Sequence, residues 1–243
     1  MSDALSAADV LDVWERGRNR HPVDRALLIL AAVAPASSTE PLERLPVGER
    51  DARLLAVRRA TFGDTIESWA ECPRCAGVVE FTVSASALAG PGAAPDAVLE
   101  IEAGGVSLRL RVPDSVDLAS AAGAADAAAA RGRLLERCVV ATGLDGGLLD
   151  VGTLPAAVLD VAEAYLAEVD PRADVTFAVA CPLCGHAWEL VFDIATILWS
   201  EIAAAARRAA QEVHVLARAY GWRETDVLTL SPARRQLYLS LVS

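Results

Sequence analysis

The sequence contains no lysine at all, and its 22 basic side chains are all arginine. They are outnumbered by 33 Asp and Glu residues, so the 243-residue chain carries a formal net charge of −11. The excess of acid is greatest in the middle of the chain, where residues 65–199 contain 7 Arg against 19 acidic residues. Nucleic-acid binding requires a basic surface that displaces counterions from phosphate, so the composition argues against a nucleic-acid partner. The absence of lysine fits a GC-rich genome and implies no mechanism.

Histidine is scarce too, with three scattered residues, His21, His186 and His214. The sequence has no G-x-S-x-G, H-E-x-x-H or G-x-x-x-x-G-K-[ST] motif and no convincing G-x-G-x-x-G. Acid–base catalysis would therefore depend on carboxylates whose pairing the sequence does not define. These absences favour a binding or assembly protein over an enzyme. We expect no catalytic residue and no small-molecule substrate.

Long hydrophobic runs are also missing. The longest run near the N-terminus, residues 26–34, is about nine residues, whereas a membrane-spanning helix needs about 20. The first residues are acidic and polar, unlike those of a secretory signal. We therefore expect a cytoplasmic protein without a membrane span, in which thiols stay reduced.

Four of the five cysteines form two similar C-P-x-C clusters, at Cys72 and Cys75 and at Cys181 and Cys184. The two clusters are related by a shift of 109 positions. Strand-like stretches precede and follow each cluster, at 66–70, 78–83, 175–179 and 187–192. The sequence therefore predicts two β-hairpins, each with a C-P-x-C knuckle at its tip, that face each other as a split zinc ribbon.

Four thiolates are the ligand set of a structural zinc site, with the sulfurs at about 2.3 Å from a tetrahedral Zn²⁺. Such a site has no open position for water, so one zinc bound by all four cysteines would be structural rather than catalytic. C-P-x-C also occurs in thioredoxin-like redox sites, but there it begins a helix, whereas strands follow both pairs here. Disulfides are disfavoured in a reducing compartment. Loss of the metal, or separate binding by each pair, also remains open.

The remaining candidate ligands have simpler interpretations. Cys138 lies in an apolar, helix-like segment and is expected to be a small buried hydrophobe. His186 follows Cys184 by two residues and could compete as a ligand, but its counterpart in the first cluster is Gly77, so no ligand role is needed. His21 and His214 are expected to be cap or surface residues.

Helical patterns surround the two knuckles. A first helix, capped by Ser6 or Asp9, is predicted to run to Trp14, and a second one starts at Pro22 and ends at Pro35. Further helices are predicted over 47–61, 116–141, 154–169, 194–220, 224–230 and 232–241. In the third of these, Arg50, Arg53, Arg58 and Arg59 are predicted to point largely outward. A glycine-centred hairpin at 98–112 is predicted to extend the ribbon sheet. At 1.5 Å per residue, the helix over 194–220 would be about 40 Å long, so it could project toward a partner or pack along the whole body.

These patterns define an α+β fold. It consists of a split zinc ribbon with a small antiparallel sheet, surrounded by helices and followed by a long C-terminal helix. The predicted organisation is an N-terminal helical region at 1–65, a zinc-ribbon region with an inserted hairpin and helices at 66–193, and a C-terminal helical region at 194–243. We expect the three regions to form one integrated domain.

A resemblance to a known family adds to these predictions. The segments His214–Trp222 and Asp226–Arg235, together with His21–Leu27 and the two C-P-x-C knuckles, resemble the T4-type baseplate hub assembly chaperone family of contractile phage tails and related contractile injection systems. The resemblance implies a non-enzymatic role in assembling the baseplate hub, with hub, spike or other baseplate proteins as partners. It also implies that Cys72, Cys75, Cys181 and Cys184 correspond to the cysteines of the family, and it supplies no catalytic residue.

Overall fold

The computed structural model of the protein describes residues 4–35, 37–88 and 99–242, and these form a mixed helical and antiparallel β structure. They divide into two compact units. The helical unit contains the described residues of 1–38 with 54–65 and 193–242, and the ribbon unit contains those of 39–53 with 66–192. The three-region organisation predicted from the sequence stays a prediction.

The elements follow one another along the chain in a mixed order. The helices are α1 (Ala7–Gly17), α2 (Pro22–Val33), α3 (Val47–Phe62), α4 (Ser115–Ala122), α5 (Ala127–Cys138), α6 (Ala156–Val169), α7 (Ile194–Tyr220), α8 (Glu224–Leu228) and α9 (Pro232–Leu241). The strands are β1 (Thr65–Glu71), β2 (Val78–Ser84), β3 (Leu99–Ala103), β4 (Val106–Leu110), β5 (Val139–Thr142), β6 (Leu148–Leu149), β7 (Thr176–Ala180) and β8 (Ala187–Val191). Residues 89–98, between β2 and β3, lie outside the described residues, and they include Val98, the first residue of the predicted hairpin.

The helical unit is built around α7, whose two ends coincide with the sequence prediction. Asp193 caps its first turn through the amide of Thr196, and Gly221 ends it in the left-handed conformation at φ 69°. Buried side chains recur along α7 from Ile194 to Leu216, and α1, α2, α8 and α9 all pack against it. Of the two alternatives for this helix, the structure therefore shows packing along its length. Among the described residues, no helix combines the length and apolar character that crossing a bilayer requires.

The ribbon unit contains a four-stranded antiparallel sheet in the order β3-β4-β5-β6. Its core is formed mainly by aliphatic side chains of the sheet, α5 and α6, including Leu108, Leu110, Leu135, Val139, Val158 and Ala162. The predicted hairpin at β3 and β4 is present, but the prediction that it extends the ribbon sheet is wrong. It pairs with β5 instead, and each knuckle hairpin is a separate two-stranded sheet.

The prediction of a single helix over 116–141 is also wrong. The chain forms α4, which ends at Gly123, and then α5, which begins after the cap residue Asp126. The β-branched residues Val139 and Val140 continue as a strand and pair with Leu110 and Arg109 of β4. The alanine-rich sequence has no strong periodicity, so local caps and strand pairing determine where its helices end.

Two of the four arginines predicted to face outward from α3 are buried, namely Arg50 and Arg58. In the ribbon unit, the Arg50 side chain donates to a carboxylate oxygen of Asp51 at 2.7 Å. In the helical unit, Arg58 donates two hydrogen bonds to Glu201, at 2.7 and 3.0 Å, and a third to the carbonyl of Gly63. A buried guanidinium is tolerated because these acceptors satisfy both its charge and its donors.

A buried carboxylate connects the elements of the ribbon unit. Asp117 is 0% exposed and accepts two hydrogen bonds from Arg111, at 2.6 and 2.8 Å, and one from Arg137 at 2.7 Å. It also accepts from the backbone amide of Asp114, which completes a capping box for α4. Burial alone would raise the pKa of Asp117, but these donors hold it well below its usual range.

Asp117→Asn should therefore destabilise the protein by about 3 kcal/mol, because two partly exposed arginines would lose the charge of a fully buried carboxylate that accepts hydrogen bonds from both. The measurement is the free energy of unfolding from urea titration at neutral pH. The matched control is Glu100→Gln, which removes the exposed Glu100–Arg109 pair and should change the same quantity by less than about 1 kcal/mol. Equal effects of the two variants would contradict this role for Asp117.

Candidate metal centre

The two knuckles have the same backbone geometry, as the 109-residue repeat predicts. At the tip of the β1–β2 hairpin, the Cys72 amide donates to the carbonyl of Gly77 at 2.9 Å, and the Ala76 amide donates to the carbonyl of Cys72 at 2.9 Å. At the tip of the β7–β8 hairpin, the Cys181 amide donates to the carbonyl of His186 at 2.8 Å, and the Gly185 amide donates to that of Cys181 at 2.9 Å. Each turn thus presents its two thiols from one compact loop.

The residue after the second cysteine of each knuckle has a positive φ. It is Ala76 in the first knuckle, at φ 57°, and Gly185 in the second, at φ 69°. Ala76 is the one non-glycine residue among those described that adopts positive φ. The left-handed conformation lets the chain turn back into β2 or β8, and it costs an alanine more than a glycine.

The four thiols of the two knuckles converge. The Sγ atoms of Cys72, Cys75, Cys181 and Cys184 all lie within 4.8 Å of one another. Across the knuckles, Cys72 Sγ lies 3.7 Å from Cys184 Sγ, and Cys75 Sγ lies 3.6 Å from Cys181 Sγ. Four sulfurs at 2.3 Å from a tetrahedral ion would be about 3.8 Å apart, so this cluster fits such an ion.

The same distances exclude disulfides in this structure, because a disulfide has its sulfurs about 2.05 Å apart. Strands rather than helices follow both C-P-x-C pairs, so no helix N-terminus activates the first thiol as in a thioredoxin-like site. The two pairs also lie together rather than apart, which argues against separate binding of an ion by each pair.

The two knuckle tips also contact each other through Leu183 and Gly77. A Cβ atom placed on Gly77 would lie 2.6 Å from Leu183 Cδ1 and 3.3 Å from Cys75 Sγ. Gly77 therefore allows the second knuckle to approach the first one closely. Two of the cysteines, Cys72 and Cys181, are buried at this junction, whereas Cys75 is exposed and Cys184 is half-buried.

The thiols do not ionise equally. Burial would raise the pKa of Cys181, but the backbone amides of Cys184 and Leu183 and two neighbouring thiols donate to its sulfur and lower that pKa to about 7. The amide of His186 donates to Cys184, yet burial and the other thiols raise the pKa of Cys184 to about 12. One thiolate thus disfavours a second beside it, and all four can be deprotonated together only if a cation balances their charge.

The other candidate ligands lie outside the cluster, except for His186, which contributes backbone groups to it. Cys138 is buried at the end of α5, where burial, the largest cause, and Asp117 raise its thiol pKa to about 12, as expected for an inert residue. His186 contributes backbone groups, and its ring stacks on Trp188 with centroids 6.0 Å apart. His21 caps α2 through Nδ1, and His214 is exposed on α7. Sequence analysis missed the amides that donate to the sulfurs, which have no side-chain signature.

The fold and site together define a mixed α and β protein with a four-cysteine candidate metal centre. The family model for the T4 bacteriophage base plate protein matches residues 27–199, well over half of the chain, and the protein belongs to this family. The match includes all four clustered cysteines. Searches of curated proteins and of solved structures gave no match. Family membership supports a structural role in a phage-type baseplate, with other baseplate proteins as its partners.

The positive φ values of the knuckles predict opposite effects for two exchanges. Gly185→Ala should cost about 1 kcal/mol because it places a Cβ in the left-handed region, where nothing else obstructs it. Ala76→Gly should raise stability by up to about 1 kcal/mol, because it relieves the same strain in the first knuckle. Chemical denaturation of the two variants measures both effects. A loss of stability in Ala76→Gly as large as that in Gly185→Ala would contradict the equivalence of the turns.

Proposed function

We propose that this protein is a non-enzymatic assembly or structural protein of the baseplate, in which one structural Zn²⁺ bound by Cys72, Cys75, Cys181 and Cys184 joins two knuckles into a split zinc ribbon. The observation that carries the proposal is the convergence of four thiols from two remote hairpins in a member of a baseplate family. A site with four thiolates has no free coordination position, so the zinc stabilises the fold and takes no part in a reaction.

Zinc is the metal that the donor set favours. Thiolates select soft or borderline ions, and a tetrahedral set of four is typical of zinc or of iron–sulfur centres. The sulfurs are close enough to share a single ion, whereas hard ions such as Mg²⁺ and Ca²⁺ prefer oxygen ligands. Zinc bound in this way contributes an apparent ~10–16 kcal/mol of binding free energy in small zinc-finger peptides. Loop closure between the knuckles costs a term that grows only with the logarithm of loop length.

The specific role that we propose is in assembly of the baseplate hub, as a chaperone of that step or as a component that stays associated with the tail particle. The partners are then hub, spike or neighbouring baseplate proteins. The acidic ribbon region is suited to basic protein surfaces and unsuited to nucleic acid. The family resemblance extends the same proposed role to contractile injection systems related to phage tails.

The purified protein should contain about one zinc per chain. Cys181→Ser should lose most of the metal and destabilise the ribbon unit, because three thiolates and a hydroxyl hold zinc poorly. Acidification should also release the metal, since protons compete with it for the thiolates. Elemental analysis and thermal unfolding measure these effects.

The control for this experiment is Cys138→Ala, which removes the thiol outside the cluster and should leave the zinc content unchanged. A wild-type protein without stoichiometric metal, or a Cys181→Ser variant that retains it, would disprove the zinc assignment.

Co-expression with the hub, spike and other baseplate proteins of the same tail system should give a stable complex that contains this protein. Mass spectrometry of the purified complex identifies its components and their ratio. Cys181→Ser should weaken the complex, because the proposed role depends on an intact ribbon. If none of these proteins binds the zinc-loaded chain, the assembly role is wrong.

A further inference from the structure

The first knuckle hairpin has a solvent-facing surface with an unusual composition. Alternate residues of β1 and β2 are exposed, and the exposed set is Thr65, Glu67, Trp69, Glu71, Val78, Glu80 and Thr82. Trp69 is 65% exposed, although a tryptophan normally buries most of its surface. An open groove of about 480 Å³ lies along this surface and is lined by Glu67, Ser68, Trp69, Glu80, Phe81 and Thr82.

The acids of this groove have no partner within the described chain. Neither Glu67 nor Glu80 forms an ion pair or a side-chain hydrogen bond with any described residue. Many other acidic residues of the ribbon unit are paired with arginine, including Glu40, Glu49, Asp117 and Glu163. The nearest arginine in sequence, Arg74, lies at the knuckle tip rather than among the residues that line the groove.

The second hairpin shows that the metal centre does not require this surface. With the 109-residue shift, Glu67, Trp69 and Glu71 correspond to Thr176, Ala178 and Ala180, while Glu80 corresponds to Glu189. The corresponding residues of β7 and β8 are exposed too. Both hairpins form the same knuckle, so the indole and the extra carboxylates of the first hairpin are unnecessary for folding around the cysteines.

We propose that this groove, formed by Glu67, Trp69 and Glu80, binds an arginine-bearing segment of a partner protein. A guanidinium can stack on the exposed face of an indole while its N–H groups donate to carboxylates on either side. Arginine suits this arrangement better than lysine because its planar fork satisfies both contacts at once. The inference deepens the proposed assembly function, since it assigns the chemistry of one partner-binding surface.

The test uses the zinc-loaded full-length chain and two short synthetic peptides, one with alternating threonine and arginine and one with glutamine in place of arginine. The arginine peptide should bind, shift the Trp69 indole resonance in an NMR titration, and bind more weakly as salt is added. Glu80→Gln should weaken binding severalfold, and Glu67→Gln combined with Glu80→Gln should weaken it about tenfold. Trp69→Ala should abolish the resonance and weaken binding to a similar extent.

The matched control is Glu189→Gln, which makes the same charge change at the equivalent position of the second hairpin. It should alter the affinity by less than about twofold. Zinc content and thermal unfolding should be the same for every variant compared. Equal binding of the two peptides, or equal weakening by Glu80→Gln and Glu189→Gln, would overturn the inference.

The same variants also distinguish this inference from the assembly role. If the wild-type chain forms a baseplate complex that none of the groove variants weakens, the assembly role stands and the groove is not its contact surface. If the arginine peptide binds as described while no baseplate protein does, the groove is supported as a surface for basic segments and the assembly role fails.

Discussion

The convergence of four sulfur atoms is the interaction that brings the two knuckle hairpins together. The second knuckle hairpin has little core, since side chains along β7 and β8 alternate between exposed and half-buried, and the first hairpin buries only Ile66 and Ala70 of its strands. Isolated two-stranded hairpins are marginally stable in water. A cation shared by the four thiols, whose sulfurs lie within 4.8 Å of one another, would supply the stabilisation that apolar packing does not.

The segment between the knuckles has a different basis for its stability. The sheet β3-β4-β5-β6 packs aliphatic side chains against α5 and α6 and forms a continuous core. It is also linked by the carboxylate of Asp117, which receives hydrogen bonds from two arginines and from the amide of Asp114, the N-cap residue of α4. The described part of the long connection between Cys75 and Cys181 is therefore a folded substructure rather than a loop. Its own core offsets the conformational entropy that is lost when it is ordered, so the metal does not have to do so alone.

Three of the arginines show what a guanidinium group allows inside the structure. Arg50, Arg58 and Arg235 are buried, and each lies beside a carboxylate of its own unit. A guanidinium offers five donors in a planar fork, so one buried arginine can satisfy a carboxylate and a carbonyl together, as Arg58 does with Glu201 and Gly63. The ammonium group of lysine is more strongly hydrated and would be costlier to bury.

Features that are encoded locally could be predicted from the sequence, and features that depend on tertiary pairing could not. Residue types with strong conformational preferences account for the two knuckles. They also account for the start of α1 after Ser6, the start of α2 at Pro22 and the end of α7 before Gly221. The pairing of β5 with β4 and the burial of Arg58 depend on partners distant in sequence, Glu201 among them. The sequence also predicted the four-cysteine set. It could not predict the backbone amides that donate to the sulfurs, because an amide is common to nearly all residue types.

A comparison of the two knuckle hairpins distinguishes the features that the metal centre requires from those that can vary. Both copies keep the two cysteines, the proline between them, the amide-to-carbonyl bonds of the turn and the residue of positive φ. On their exposed faces, one copy has an indole and several acids and the other has mainly threonine, alanine and valine. Both hairpins form the same knuckle, so the knuckle does not require the particular residues of that exposed face. Such a surface is available for recognition, and its charge determines which partners it can accept.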